Sequence, residues 1–138
     1  MMKSTLIATL ALMTLGAPAL AAGDAAAGEA DFKKCKACHS VIADDGTVIQ
    51  KGGKIGPNLY GVIGRPVAGT DFKYSAFIKT VGESGLIWDE AELASYVTDP
   101  TAWLKDKTGD AKAKSKMAFK LGAGQEDIAA YLASLTAE

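Results

Sequence analysis

Both cysteines and the only histidine of this chain stand within five residues, in the run Cys35-Lys36-Ala37-Cys38-His39. At the C-x-x-C-H spacing, two thiols can add to the vinyl groups of one haem while the adjacent imidazole reaches the iron. A disulfide across two intervening residues would close too small a loop to stabilise the chain much. The spacing therefore predicts one covalently bound haem c, with His39 as an axial iron ligand.

A haem iron that only exchanges electrons has two axial ligands, and no second histidine is present. Met1, Met2 and Met13 belong to the N-terminal apolar segment, so Met117 is the single thioether in the rest of the chain. A lone methionine ordinarily fills a gap in a core. Because Met117 stands in the lysine-rich stretch 114–120, the second ligand is expected to be Met117, with the lysines and an open iron site as alternatives.

Three other chemistries compete with this interpretation. An exported C-x-x-C pair also occurs in thiol-disulfide oxidoreductases, but the βαβ pattern of their usual scaffold is missing here. A structural zinc site needs four ligands, and Cys35, Cys38 and His39 are only three. A haem with an open distal site would bind gases or act as a peroxidase; the presence of Met117 and the lack of a second histidine argue against it.

Residues 1–21 have the pattern of a secretory signal peptide: Lys3 at the start, an apolar run over 6–15, and small residues up to Ala21. The apolar run is shorter than the roughly 20 residues that span a membrane. We therefore expect cleavage near Ala21, a single domain over residues 22–138, a periplasmic location and no permanent membrane anchor.

The charge of the chain is nearly balanced but unevenly distributed. Without Lys3 it has 14 basic and 16 acidic residues, so nucleic acid is not an expected partner. Residues 105–120 include six lysines, whereas residues 83–99 include five acids and no base. A domain of 117 residues has a modest apolar core, which a buried macrocycle would enlarge.

Helical patterns dominate the chain, and no run of alternating Val, Ile and Thr is long enough for a sheet. A first helix is predicted after Asp24, with Gly28, Phe32 and Cys35 on one face. A weaker and shorter helix is predicted over residues 75–81.

Three further helices are predicted in the second half. One begins at Asp89, with Glu92 three residues later, and ends at Pro100. Pro100 also opens a helix that contains Trp103. The last helix follows Gly124. The predicted fold class is therefore all-α, with about four to five helices and long loops.

Taken together, these motifs resemble the class I cytochromes c, and among them the bacterial cytochrome c2 type. The resemblance covers essentially the whole chain after the signal, and two long loops match this larger type better than the mitochondrial form. It rests on Cys35-x-x-Cys38-His39, Gly56-Pro57-Asn58-Leu59-Tyr60-Gly61, Trp88 ahead of Tyr96-Val97-x-x-Pro100, Lys116-Met117-Ala118-Phe119 and Ala130-Tyr131-Leu132.

The resemblance implies a class I cytochrome c fold wrapped around the haem, with roles for further residues. Pro57 matches the proline whose carbonyl accepts the proximal imidazole N–H, a bond that fixes the ring. Arg65, Tyr74 and Trp88 match donors to the buried haem propionates. Tyr96 matches the tyrosine near the axial sulfur. Phe119 matches an aromatic beside the exposed haem edge.

The same resemblance implies the function. The protein would be a monomeric soluble electron carrier rather than an enzyme, serving respiration or photosynthesis. Its donor would be a cytochrome bc-type complex, and its acceptor a photosynthetic reaction centre or a terminal oxidase. Lysines around the haem edge would steer docking onto acidic faces of these partners. The expected docking lysines are Lys36, Lys105, Lys112, Lys114, Lys116 and Lys120.

Overall fold

The computed structural model describes residues 23–135. The expected signal peptide, with cleavage near Ala21 and the three early methionines, lies outside the described residues. In the order of the chain, the α-helices are α1 (Ala25–Asp31), α2 (Ala76–Glu83), α3 (Glu90–Thr98), α4 (Pro100–Thr108) and α5 (Gln125–Ala133). Among residues 23–135, no helix is long and apolar enough to cross a membrane.

The first and last helices pack against each other more extensively than any other pair of elements. At the contact, a Cβ atom on Gly28 would lie 2.0 Å from the carbonyl oxygen of Asp127, so only glycine allows this approach. The ring of Phe32 meets that of Tyr131 edge to face, with centroids 5.7 Å apart. The close pairing of α1 and α5 forms one wall of the core.

Side-chain caps that the sequence predicted set the starts of α3 and α4. The Asp89 carboxylate accepts the N–H of Glu92 at 2.7 Å and caps α3. The Asp99 carboxylate accepts the N–H of Ala102 at 3.0 Å and caps α4, which starts at Pro100. Such caps satisfy N–H groups that have no partner within the helix. The predicted all-α class is confirmed.

Two local features differ from the sequence expectation. The first helix ends at Asp31 and continues as a 3₁₀ turn over Phe32–Lys34, so the cysteines follow a helix rather than lie on one. The expected loop after His39 contains a short antiparallel hairpin of β1 (Val41–Ile42) and β2 (Val48–Gln50). Strands of two and three residues are too short to show the alternation that identifies a strand in a sequence.

Side chains far away in the sequence hold this hairpin in place. The Asn58 side chain accepts the N–H of Ile42 at 3.0 Å and donates to its carbonyl at 2.7 Å. The buried Gln50 amide donates to the Tyr131 hydroxyl at 2.8 Å. These bonds attach the hairpin to α5 and to the loop that contains Pro57 and Asn58.

Candidate functional site

A cavity with mostly apolar walls lies within the part of the fold that the structure describes. Leu59, Val62, Leu93, Ile128 and Leu132 contribute to these walls. The cavity also brings together eight of the ten site residues expected from the sequence: Cys35, His39, Pro57, Arg65, Tyr74, Trp88, Tyr96 and Met117.

The His39 ring is held firmly at one side of this cavity. Its Nδ1 atom lies 2.8 Å from the carbonyl oxygen of Pro57. Because a carbonyl can only accept, Nδ1 donates the proton, and the Nε2 lone pair remains available to a metal. A Cβ on Gly56 would lie 2.2 Å from the imidazole Cε1, so the backbone presses directly against the ring. Burial lowers the pKa of His39, and the Pro57 carbonyl partly offsets this, so the net effect of the site favours the neutral imidazole.

The two cysteines lie in the turn that leads into His39. The amide N–H groups of Cys38 and His39 both donate to the Cys35 carbonyl, at 3.2 and 2.9 Å. Cys35 and Cys38 are not joined in a disulfide, and Cys35 lines the cavity whereas Cys38 does not. Burial raises the pKa of the Cys35 thiol to about 11. A thiol-disulfide oxidoreductase needs the opposite shift, so that interpretation loses support.

Met117 belongs to the segment between α4 and α5, residues 109–124, which we call the methionine loop. The N–H of Met117 donates to the Ser115 hydroxyl at 3.0 Å. The N–H of Ser115 donates to the Thr101 hydroxyl at 3.1 Å, and the Tyr96 hydroxyl lies 3.3 Å from that of Ser115. Sequence reasoning missed Ser115, because a serine two residues before a methionine has no distinctive pattern.

The methionine loop is also attached beyond Met117. The Lys120 ammonium lies 2.6 Å from the Asp99 carboxylate, and the N–H of Leu121 donates to the Val97 carbonyl at 2.8 Å. The hydrogen bond from Lys120, followed by that from the Ala102 N–H, holds the pKa of Asp99 below its usual value. Asp99 therefore both caps α4 and fastens the methionine loop.

Three aromatic rings form a cluster beside the cavity. Trp88 stacks on Trp103 with centroids 5.1 Å apart, and Tyr96 meets both rings edge to face at 5.2 Å. The Trp103 indole donates to the Glu92 carboxylate at 2.8 Å, and Lys107 donates to the same carboxylate at 2.6 Å. Burial raises the pKa of Tyr96, partly offset by Ser115, so its hydroxyl keeps its proton. The cluster fixes the orientation of the two rings that line the cavity.

Polar groups converge at the Arg65 end of the cavity. The Arg65 guanidinium donates to the carbonyls of Asn58 and Tyr60 at 3.3 Å, and its buried Nε has no partner within residues 23–135. The Tyr74 hydroxyl bonds the Thr70 hydroxyl at 2.6 Å. A buried donor without a partner is costly, so a bound group with carboxylates suits this end. Apolar walls, a free imidazole nitrogen, a thioether and an unpaired donor together fit a haem c.

Phe119 is the second expected site residue that does not line the cavity. Its side chain is 41% exposed and follows Met117 by two positions. Among the described residues, no group of three or more His, Cys, Asp or Glu side chains is placed to hold a metal ion.

No protein-family model matches this chain. Known proteins do: the chain is 60% identical to cytochrome c2 of Rhodobacter capsulatus over 130 residues, which cover 93% of each chain. It is 57% identical to cytochrome c-550 of Paracoccus versutus over 136 residues, which cover 96% of this chain and 88% of that one.

Solved structures of these two relatives also match the fold of this chain. The fold matches that of Rhodobacter capsulatus cytochrome c2 with a TM-score of 0.80 and 59% identity, covering 81% of this chain and 97% of the other. It matches ferric cytochrome c-550 of Paracoccus versutus with a TM-score of 0.80 and 58% identity, covering 82% of this chain and 98% of that structure.

Proposed function

Because this chain belongs to the class I cytochromes c of the bacterial cytochrome c2 type, we propose that it carries single electrons from a cytochrome bc-type complex to a reaction centre or terminal oxidase. Membership of the family makes it an electron carrier with one covalently bound haem c. We assign the thioether bonds to Cys35 and Cys38 and the axial positions to His39 and Met117.

The observation that carries this proposal is the arrangement of His39 and Met117 around one apolar cavity. His39 is held by Pro57 with Nε2 free, and Met117 lines the same cavity from the methionine loop. When bound, haem c supplies a one-electron couple. An imidazole and a neutral thioether together favour the reduced iron, compared with two nitrogen ligands.

The protein's own residues set the conditions for electron transfer. The Pro57 carbonyl fixes the imidazole orientation and raises its basicity as a ligand. We assign Arg65, Tyr74 and Trp88 as donors to the haem propionates, since a buried carboxylate needs hydrogen-bond partners. The apolar walls exclude water. With His39 and Met117 holding the iron, no ligand position would remain for a substrate, so the expected activity is transfer of electrons without bond-making.

The lysines provide the docking surface in this proposal. Lys120 lies 2.6 Å from the Asp99 carboxylate, but its side chain is 60% exposed and it remains in the proposed set. The other five expected docking lysines make no ion pair within the described part of the chain: Lys36, Lys105, Lys112, Lys114 and Lys116.

We also propose that residues 1–21 direct export and are removed near Ala21, and that residues 22–138 form the periplasmic carrier. Mass spectrometry of the protein from the periplasm tests both points. A mass equal to residues 22–138 plus one haem is expected. A retained segment 1–21 would overturn the cleavage, and a mass without haem would overturn the attachment to Cys35 and Cys38.

Absorption spectra test the axial ligands. The oxidised protein is expected to show the weak red band of a thioether bound to low-spin ferric haem, and Met117→Ala should abolish that band. Val48→Ala is the control, because Val48 is 56% exposed and does not line the cavity, so this variant should retain the band. A band that survives in Met117→Ala would exclude Met117 as the ligand.

The docking proposal is tested by the ionic-strength dependence of electron transfer. The rate with a purified reaction centre or bc-type complex should fall as salt rises, because lysines attract an acidic partner over long range. Rates that stay constant from low to high salt with both partners would contradict the proposed docking.

A further inference from the structure

The turn between β1 and β2 contains Asp45-Gly46, which is the only Asp-Gly pair in the chain. An aspartate before a glycine can rearrange without an enzyme, because the next backbone nitrogen attacks the side-chain carboxyl group. Glycine has no side chain to hinder that approach. The single asparagine, Asn58, precedes Leu59, whose side chain does hinder it. The sequence thus offers one position at which this chemistry is sterically free.

The structure leaves this position open. Asp44, Asp45 and Gly46 are all exposed at the tip of the hairpin. A Cβ on Gly46 would meet nothing within 4 Å, so nothing beyond its two chain neighbours crowds the backbone at this point. Water, which the second step of the rearrangement consumes, therefore has free access.

A hydrogen bond holds the Asp45 carboxyl group beside the reacting nitrogen. The N–H of Thr47 donates to Oδ1 of Asp45 at 2.9 Å. The ring closed by this Asx turn runs through Cγ, Cβ and the backbone carbonyl carbon of Asp45 and through the nitrogen of Gly46. It therefore folds the carboxyl group over the peptide bond between the two residues. The same N–H points at an oxygen on which negative charge develops during the attack.

Two features of the turn make the reaction slow. The N–H of Gly46 already donates to the Ala43 carbonyl at 2.9 Å. The hydrogen bond from the Thr47 N–H also holds the pKa of Asp45 below its usual value, so the carboxyl group is mainly ionised at neutral pH. A carboxylate resists attack by a nucleophile, and the reaction passes through the minor protonated form. The expected change accumulates with the age of the molecule.

We propose that Asp45 is a site of isoaspartate formation and that this modification opens the hairpin turn. In the first step, the Gly46 nitrogen forms a bond to Cγ of the protonated Asp45 side chain. The carboxyl OH leaves with the N–H proton as water, which gives a cyclic imide. In the second step, water opens the imide at the former backbone carbonyl of Asp45. The main chain then runs through Cβ and Cγ, and the former carbonyl becomes a free carboxylate.

The net reaction changes neither mass nor charge and needs no oxidant or reductant. Neither step involves the haem or a redox partner, so the proposal is independent of the proposed electron transfer.

The rearranged backbone has an additional carbon atom at the tightest point of the turn. The turn is closed by two hydrogen bonds of 2.9 Å, from the N–H of Ala43 to the Thr47 carbonyl and from the N–H of Gly46 to the Ala43 carbonyl. The spacing between these donors and acceptors is set by the normal chain length. We therefore expect both bonds to be lost.

The effect would extend beyond the exposed tip. β2 follows the turn directly and ends at Gln50, whose buried amide donates to the Tyr131 hydroxyl at 2.8 Å. A shift of β2 would weaken this contact with α5. The modified molecules should consequently unfold at a lower denaturant concentration than the unmodified ones.

The test incubates the purified holoprotein at physiological temperature and then adds a carboxyl methyltransferase specific for isoaspartate, with labelled S-adenosylmethionine. Incorporation of label should rise with incubation time and should be confined to the proteolytic fragment that contains Asp45. Asp45→Glu should abolish it, because the longer side chain would have to form a larger ring. Asp44→Glu is the matched control: it changes the exposed neighbour that no glycine follows, and it should retain full incorporation.

Hydrogen exchange tests the structural consequence. In the incubated wild type, the Ala43 amide should exchange with solvent faster than in fresh protein, whereas in incubated Asp45→Glu it should not. The Gly28 amide, which donates to the Asp24 carbonyl in α1, is the internal reference and should be unchanged.

Each contrary result overturns a named part of the proposal. A wild type that gains no label would overturn Asp45 as a modification site. Label retained in Asp45→Glu would place the reaction elsewhere and would overturn it equally. Labelled wild type with unchanged exchange of the Ala43 amide would overturn the opening of the hairpin.

Discussion

The two sides of the cavity are built in different ways. The histidine side comprises His39, the Cys35 turn before it and α1, which leads into that turn. Here backbone lies directly against backbone or against the imidazole ring, with glycine at the contacts Gly28 to Asp127 and Gly56 to His39. On the methionine side, a loop without helix is fastened by the hydroxyl of Ser115 and by the ion pair of Lys120 with Asp99.

This difference determines how each side responds to mutation. A backbone contact at the van der Waals limit leaves no room for one added carbon, so a small change displaces a whole helix. A hydrogen bond or an exposed ion pair contributes modestly and can be lost without moving its neighbours. We therefore expect a single substitution on the histidine side to lower the free energy of unfolding strongly, and one on the methionine side to lower it only modestly.

The largest effect is expected for Gly28→Ala. Its new Cβ would lie 2.0 Å from the Asp127 carbonyl oxygen, and neither helix backbone can yield without separating α1 from α5. The free energy of unfolding should fall by about 3 kcal/mol, measured by denaturant titration of the holoprotein. Gly122→Ala, in the methionine loop, is the control, since nothing lies within 4 Å of its Cβ position. Equal losses for the two variants would contradict the comparison.

A smaller effect is expected for Tyr131→Phe, which removes the hydroxyl that accepts the buried Gln50 amide at 2.8 Å. The amide would then be buried without a partner, at a cost of about 1.5 kcal/mol in unfolding free energy. The double variant Gln50→Leu/Tyr131→Phe removes both groups and should recover most of the loss. No recovery would mean that the Tyr131 hydroxyl acts through another contact.

On the methionine side, Ser115→Ala removes the acceptor of the Met117 N–H and a neighbour of the Tyr96 hydroxyl. The expected loss of stability is about 1 kcal/mol, and the Met117 amide should exchange with solvent faster. Ser134→Ala is the control, because its hydroxyl donates to the Tyr131 carbonyl at the end of α5, outside this loop. Unchanged exchange of the Met117 amide in Ser115→Ala would show that this bond does not hold the loop.

The sequence predicted more of the structure on the histidine side than on the methionine side, for a physical reason. Motifs depend on neighbours in the chain, so Cys35 and His39 could be interpreted from local spacing, as could the helix caps elsewhere in the chain. The bonds around Ser115 join positions 14 and 19 residues apart, through common residues with no distinctive spacing.

Two features that the sequence did not predict have similar causes. The hairpin of β1 and β2 was missed, because its strands are too short for alternation and the fixing contact of Gln50 lies 81 residues away. The ion pair of Lys120 with Asp99, 2.6 Å apart, was also missed, since the sequence gives no sign that the two residues are close. Long-range pairing of polar side chains is therefore the information that required the structure.

The smallest effect is expected for Asp99→Asn, which separates the two roles of this residue. An asparagine oxygen can still accept the Ala102 N–H and cap α4, whereas the ion pair with Lys120 is lost. Because the pKa of Asp99 is lowered in the folded protein, the wild type gains stability from the ionised form. That gain is full above the usual pKa of 3.8 and is lost as the pH falls through the lower, folded-state pKa.

Denaturant titrations of the wild type and Asp99→Asn from pH 7 to pH 2 should therefore be compared. Their difference in unfolding free energy should be constant down to about pH 5 and should shrink below the usual aspartate pKa. Asp45→Asn is the control, since the Thr47 N–H lowers the pKa of Asp45 in the hairpin turn, far from the methionine loop in sequence. The difference in unfolding free energy between the wild type and Asp45→Asn should depend on pH in the same way. Only Asp99→Asn should speed exchange of the Leu121 amide with solvent, because Leu121 follows Lys120. Equal exchange in both variants would show that the hydrogen bond from Leu121 to the Val97 carbonyl alone secures this end of the loop.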